Sequence, residues 1–216
     1  KTMIKITDLN PEQQAATTYK GGPLMVLAGA GTGKTRVITY RIAYLLETGV
    51  NSRNIAAMTF TNKAALEMKQ RLTSLAGAGP TKNLFVGTFH SFCLQILRKW
   101  PKEAGLGNHF CLLSSSDQLD LIRRALEEKG WAALYRAPTL LYEISQCKNS
   151  LLTPDRLKNA PEKLEKMETD PEVLMQIYEL YQRQLRLNQA IDFDDCMLKV
   201  YNLLATERDI QLQLQE

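Results

Sequence analysis

The chain has 216 residues, 44% of them hydrophobic and 23% charged, with a formal net charge of +4. This length can bury one good core, or a core and a smaller satellite, and no apolar run approaches the ~18 residues of a membrane span, which excludes a helical membrane protein. Charge is unevenly spread: residues 1–113 hold 14 Lys/Arg against 5 Asp/Glu, whereas residues 114–216 hold 13 against 18.

The basic half is therefore the part expected to meet polyanions, either nucleotide phosphates or a nucleic-acid backbone, although solvation of helix faces accounts for the same count. Four cysteines (Cys93, Cys111, Cys147, Cys196) have no C-x-x-C spacing, and the chain has no signal-peptide-like start. They read as buried thiols of a cytoplasmic protein, implying neither zinc nor a disulfide framework.

In chain order, residues 23–28 (PLMVLA) are a continuous apolar run short enough for a buried strand. From Lys34 the spacing turns helical, with Ile38, Ile42, Leu45 and Leu46 on one face and Gly49 placed to end the helix. Between them lies a glycine-rich loop that matches G-x-x-x-x-G-K-[ST], except that Ala28 holds the first glycine position. Gly29, Gly31 and Gly33 leave room for backbone N–H groups to converge on phosphates, and the positive end of the helix favours the charge there. In that reading Lys34 bridges the outer phosphates and the Thr35 hydroxyl is a ligand to Mg²⁺. A glycine-rich turn that binds nothing is the bland alternative.

Two more strand-then-helix units follow. "NIAAMTF" precedes a helix with Ala65, Met68, Leu72 and Leu75 on one face, which "GAGP" breaks. "LFVGT" precedes Phe89, Cys93, Ile96, Leu97 and Trp100 at helical spacing up to Pro101. Three such units in succession predict an α/β fold, a parallel sheet flanked by helices.

After Phe110 helix signals take over. Ser115 with Gln118 suggests a capping box ahead of Leu119, Ile122 and Leu126, and Thr153-Pro154 and Asp170-Pro171 are cap-then-proline starts. Leu174, Ile177, Tyr178, Tyr181 and Leu185 form an amphipathic stripe ending near Asn188, the pattern of core packing. The expected organisation is a first motor part over residues 1–113, an all-helical insertion over 114–188, and a return helix over 189–216.

The stretches "LNPEQQAA" (9–16), "AGAGTGKT" (28–35), "TFTNKAALEM" (59–68), "GTFHSF" (87–92) and "DFDD" (192–195), in this order and spacing, resemble the UvrD/Rep family of superfamily 1 DNA helicases. The resemblance runs from about Leu9 to Leu204 and implies a P-loop, RecA-like motor domain that binds ATP with Mg²⁺. It assigns Gln13 to the adenine base and Ala28, Gly29, Ala30, Gly31, Thr32, Gly33, Lys34, Thr35 and Arg36 to the nucleotide, with Lys34 and Thr35 catalytic. Alanine at position 28 is common in this family.

It further implies that Phe60, Thr61, Asn62, Thr88 and His90 face single-stranded DNA, with Phe60 stacking on a base. Read from pattern alone, Thr61 and Asn62 would simply cap a helix. The helical insertion is implied to meet the duplex at the junction, with "CKNSLLTP" (147–154) offering Lys148 to the backbone.

Hydrolysis also needs an acidic residue for Mg²⁺ and another to orient water. Asp192, Asp194 and Asp195 are the nearest candidates, but they read as a capped helix start, with too few apolar residues before them for a strand. The family's Asp-Glu strand lies beyond that helix. The chain is thus expected to be an amino-terminal, monomeric fragment of a 3′→5′ DNA helicase serving repair or replication, and weak in turnover. The rival readings are a P-loop phosphotransferase acting on a small molecule and a non-catalytic nucleic-acid-binding module.

Overall fold

The first helix of the computed structural model, which describes residues 4–159, 161–164 and 167–215, starts at a capping box. Asn10 Oδ1 accepts from the Gln13 N–H (2.8 Å), the Gln13 side chain accepts from the Asn10 N–H (3.2 Å), and Pro11 occupies the first turn of α1 (Pro11–Thr18). Both reciprocal bonds satisfy donors that a helix end otherwise leaves open. α2 (Lys34–Glu47) follows the glycine-rich loop, and Gly49, at φ +98°, lies just beyond its end.

β1 (Ala56–Thr59) leads into α3 (Asn62–Ala76), a short α4 (Ala78–Thr81) follows Gly77, and β2 (Phe85–Thr88) leads directly into α5 (Phe89–Lys99). β1 and β2 pair in parallel, Ala56 opposite Phe85 and Thr59 opposite Thr88. Ile42 of α2 and Met68 and Leu72 of α3 bury against Ala57 and Leu84, with Leu46, Ile55 and Val86 alongside. This is helix cover on a parallel pair, as the alternating pattern requires.

The expected strand at 23–28 does not form. Those residues belong to no ladder and are exposed, Met25 at 80% and Leu27 at 85%. A continuous apolar strand is held only when neighbours satisfy its edges and cover its faces, and neither β1 nor β2 pairs with it.

The described residues form a mixed α/β fold with short parallel pairs and many helices, in two compact units, Lys1–Phe92 and Cys93–Glu216. In the second unit β3 (Cys111–Leu112) pairs in parallel with β4 (Ala190–Ile191). Between them lie α6 (Ser115–Glu128), α7 (Ala137–Asn149), α8 (Pro154–Lys158) and α9 (Pro171–Leu187); α10 (Phe193–Thr206) and α11 (Arg208–Gln215) follow. The capping box of α6 sits one residue earlier than expected: Ser114 is the cap and Asp117 its partner, while Gln118 is buried and donates to the Leu113 carbonyl. Thr153 and Asp170 cap α8 and α9 as their sequence suggests.

The α9 stripe of Leu174, Ile177, Tyr178, Tyr181 and Leu185 is buried throughout, packed with Ile122 and Leu126 of α6, Leu140 and Ile144 of α7 and Leu157 of α8. Each such side chain contributes about 1.5–3 kcal/mol, so this stripe is the backbone of the unit's core. Cys147 and Cys196 are buried, but Cys111 is exposed, contrary to the expectation of four buried thiols. Among the described residues no helix is long and apolar enough to cross a membrane.

Candidate functional site

The loop before α2 is shaped by two glycines at positive φ, Gly31 (+77°) and Gly33 (+91°), a region where side chains are strained. A Cβ on Gly33 would also lie 3.0 Å from Gln13 Nε2. Thr32 Oγ1 donates to the Gly29 carbonyl (2.8 Å) and tightens the turn. Lys34 Nζ donates to the carbonyls of Ala28 (3.0 Å) and Gly29 (2.6 Å), so its ammonium lies over the loop.

The Val37 N–H bonds back to Gly33 O (3.0 Å) as the first intrahelical bond, leaving the N–H groups of Lys34, Thr35 and Arg36 as open donors at the positive end of α2. Open N–H groups, an ammonium and a helix N-terminus are the donor set that suits an oxyanion. For Mg²⁺ the loop supplies the exposed Thr35 hydroxyl, and no group of three or more His, Cys, Asp or Glu side chains among the described residues is arranged to hold a metal. A magnesium ion here would draw its other ligands from phosphate and water, its usual preference.

Gln13 joins the first helix to this loop. Its Oε1 is in the capping box and its Nε2 donates to the Thr32 carbonyl (3.0 Å), whereas Gln14 turns to the Leu9 carbonyl (2.7 Å). The Arg36 guanidinium donates to the Asp8 carbonyl (2.9 Å) and lies 5.5 Å from the Tyr40 ring centre.

A second set of residues gathers at one edge of the β1/β2 pair. Parallel register with Thr59 opposite Thr88 brings both strand ends and the starts of α3 and α5 side by side, the edge at which parallel sheets place ligands. Phe60 is 90% exposed, its ring 5.6 Å from that of Phe89. Thr61 Oγ1 accepts from the Ala64 N–H (3.1 Å) and caps α3; Thr88 Oγ1 accepts from the Ser91 N–H (3.2 Å) at the start of α5. Asn62 is exposed in the first turn of α3 and His90 is half-buried in α5. The hydroxyls of Thr61 and Thr88 thus have local structural partners.

The second unit holds an ionic cluster that sequence reasoning missed. Lys148 is not a surface contact: its ammonium is buried and donates to Asp192 Oδ2 (2.5 Å), with Asp195 Oδ1 at 3.0 Å. Tyr181 OH also donates to Asp192 Oδ2 (2.9 Å), and Gln182 Nε2 donates to Asp195 Oδ1 (3.3 Å). Asp192 doubles as the cap of α10, accepting from the Asp195 N–H (2.8 Å), and Asp194 accepts from Asn149 (3.2 Å). All three carboxylates of "DFDD" are thereby committed.

Burial pushes the Asp195 carboxyl above the usual range, with Lys148 pulling the other way; burial also raises the Tyr178 and Tyr181 hydroxyls. The available signal was position: Lys148 lies four residues after Ile144 on the face of α7 that carries Leu140 and Ile144 into the core.

Residues 9–216 match the family model described as the UvrD/REP helicase N-terminal domain. An ATP-dependent DNA helicase PcrA of Bacillus subtilis (strain 168) is 41% identical over 200 residues, covering 92% of this chain and 26% of that protein. The proteins of the same name from Staphylococcus epidermidis and Staphylococcus aureus are 39% identical over 200 residues, covering 92% of this chain and 27% of theirs. The chain spans about a quarter of the length of these relatives. With residues 9–216 matched by the family model, the chain belongs to the UvrD/REP helicase N-terminal domain family.

Proposed function

We propose that the chain is the ATP-binding part of a superfamily 1 DNA helicase, which in the whole protein moves 3′→5′ along single-stranded DNA and unwinds duplex at the junction. The observation that carries this reading is the loop Ala28–Thr35 at the start of α2, where Gly31 and Gly33 at positive φ hold open N–H groups beside the Lys34 ammonium. Lys34 exchanges the Ala28 and Gly29 carbonyls for outer phosphate oxygens when ATP arrives, and Thr35 takes a place on Mg²⁺. Gln13, already bonded to the loop at Thr32, turns its amide to the adenine, with Arg36 beside it.

Phe60 supplies the stacking surface for a base, with Thr61, Asn62, Thr88 and His90 on the strand's backbone. The sheet around these sites is RecA-like, the chain acts as a monomer in the cytoplasm, and the parent serves DNA repair or replication. The three carboxylates nearest in type to catalytic acids, Asp192, Asp194 and Asp195, are engaged with Lys148 and Asn149. The chain alone therefore binds nucleotide with little turnover. Phosphate release from ATP, with Mg²⁺ and with or without single-stranded DNA, tests this: turnover stays at background in both conditions. DNA-stimulated release would show that the catalytic acids are in this chain.

A further inference from the structure

Every described lysine is exposed except Lys148, which is fully buried, and Lys199, which is half-buried. Lys148 has its counter-charges in Asp192 and Asp195, whereas Lys199 makes no hydrogen bond or ion pair with any described residue. Its carboxylate neighbour is already engaged. Asp195 lies one turn before Lys199 on α10, and its Oδ1 meets Lys148 (3.0 Å) and Gln182 (3.3 Å), while its Oδ2 is enclosed.

The Lys199 amine remains reachable. Among the described residues, the enclosed side-chain atoms without a hydrogen bond are Thr17 Oγ1, Glu143 Oε2 and Asp195 Oδ2; Lys199 Nζ, equally without one, is not enclosed. Lys199 borders a cavity of about 730 Å³ walled by residues of α8, α9 and α10, among them Tyr178, Gln182, Arg183 and Leu198. It also borders a smaller cavity of about 180 Å³ beside Gly105 and Gly107.

These surroundings make the amine a nucleophile. Burial lowers the Lys199 ammonium, and Lys148 and Arg186 push it further down, against Asp195 and Asp192, which hold it up. A lysine that is desolvated and set beside other cations carries more free amine at neutral pH than an exposed one. The wall of the larger cavity holds five Lys and Arg side chains against three Asp and Glu, so it concentrates anionic reagents over neutral ones.

We propose that Lys199 is a modification site, acylated on Nζ by a small acyl phosphate that enters the larger cavity. The ammonium first gives a proton to water. The nitrogen lone pair then attacks the acyl carbon, so that an N–C bond forms and the C–O bond to phosphate breaks. The electron pair of that bond leaves on inorganic phosphate, which takes the second amine proton. The product is a neutral amide, which removes one cation from the face of α10 that carries Asp195.

The test incubates the folded 216-residue chain with acetyl phosphate at neutral pH and follows each lysine by peptide mass spectrometry. Lys69, Lys82 and Lys102, all exposed, are the internal references. Initial acetylation of Lys199 is expected to be at least about threefold faster than at the references, and this preference to vanish when the chain is unfolded in urea. With acetic anhydride, a neutral acyl donor, a smaller preference is expected. Acetylation of Lys199 no faster than at the references, or a preference that survives unfolding, would overturn the site. An equal preference with the neutral donor would overturn its assignment to acyl phosphates.

Discussion

Lys148 shows how far one side chain's surroundings outweigh its chemistry. A lysine is ordinarily exposed, yet here its ammonium is buried between Asp192 and Asp195. Lys148→Ala leaves two buried carboxylates without their cation, a change expected to cost about 3–5 kcal/mol. Urea unfolding followed by far-UV circular dichroism measures it, and a loss below about 1 kcal/mol would mean that the pairs are solvated.

The buried thiols give a second residue-scale test. Burial pushes Cys147 up to about 11 and Cys196 up to about 12, whereas a thiol in the unfolded chain titrates near ~8.5. The folded state keeps protons that the unfolded state releases. This stabilisation is complete below the unfolded value and is lost as pH rises towards the folded one. Tyr178 and Tyr181, raised by burial, act in the same direction, and Lys199, lowered by burial, acts against it. The urea midpoint is expected to fall between about pH 8 and about pH 10.5, with a shallower fall in Cys147→Ala. An identical slope in the variant would remove Cys147 from the account.

At the scale of elements, the ends of β1 and β2 carry both structure and the proposed strand contact. Thr61→Ala removes the cap on α3 and costs about 0.5–2 kcal/mol of stability. If Thr61 and Asn62 also hold a phosphate, Thr61→Ala with Asn62→Ala weakens single-stranded DNA binding at every sequence. Cap loss without any change in DNA affinity would leave Thr61 as a capping residue only. Helix starts were legible from sequence because caps are local: Thr153-Pro154 and Asp170-Pro171 need only neighbours within a turn. Ser114 was missed in favour of Ser115 because Asp117 and Gln118 are adjacent and either completes a capping pattern.

The run at 23–28 failed for the opposite reason, since a strand exists only through partners elsewhere in the chain. The two-residue pairing of β3 with β4 was invisible for the same reason, because Cys111 and Ala190 are far apart in sequence.

For the whole molecule, the glycine-rich turn ahead of α2 was readable because Gly31, Gly33, Lys34 and Thr35 fall at fixed offsets around the helix start. Ion pairs such as Lys148 with Asp192 span 44 positions, and no local pattern encodes them. The division at Phe92 falls inside α5, whose helical spacing continues unbroken across it.

The central claim is that Lys34 and its loop hold ATP, and titration of the chain with a fluorescent ATP analogue in the presence of Mg²⁺, beside Lys34→Ala, tests it most directly. The account predicts saturable binding that is clearly weakened in the variant, while both proteins keep the same circular dichroism spectrum. Equal affinity in the two proteins would contradict it and leave the loop a structural turn.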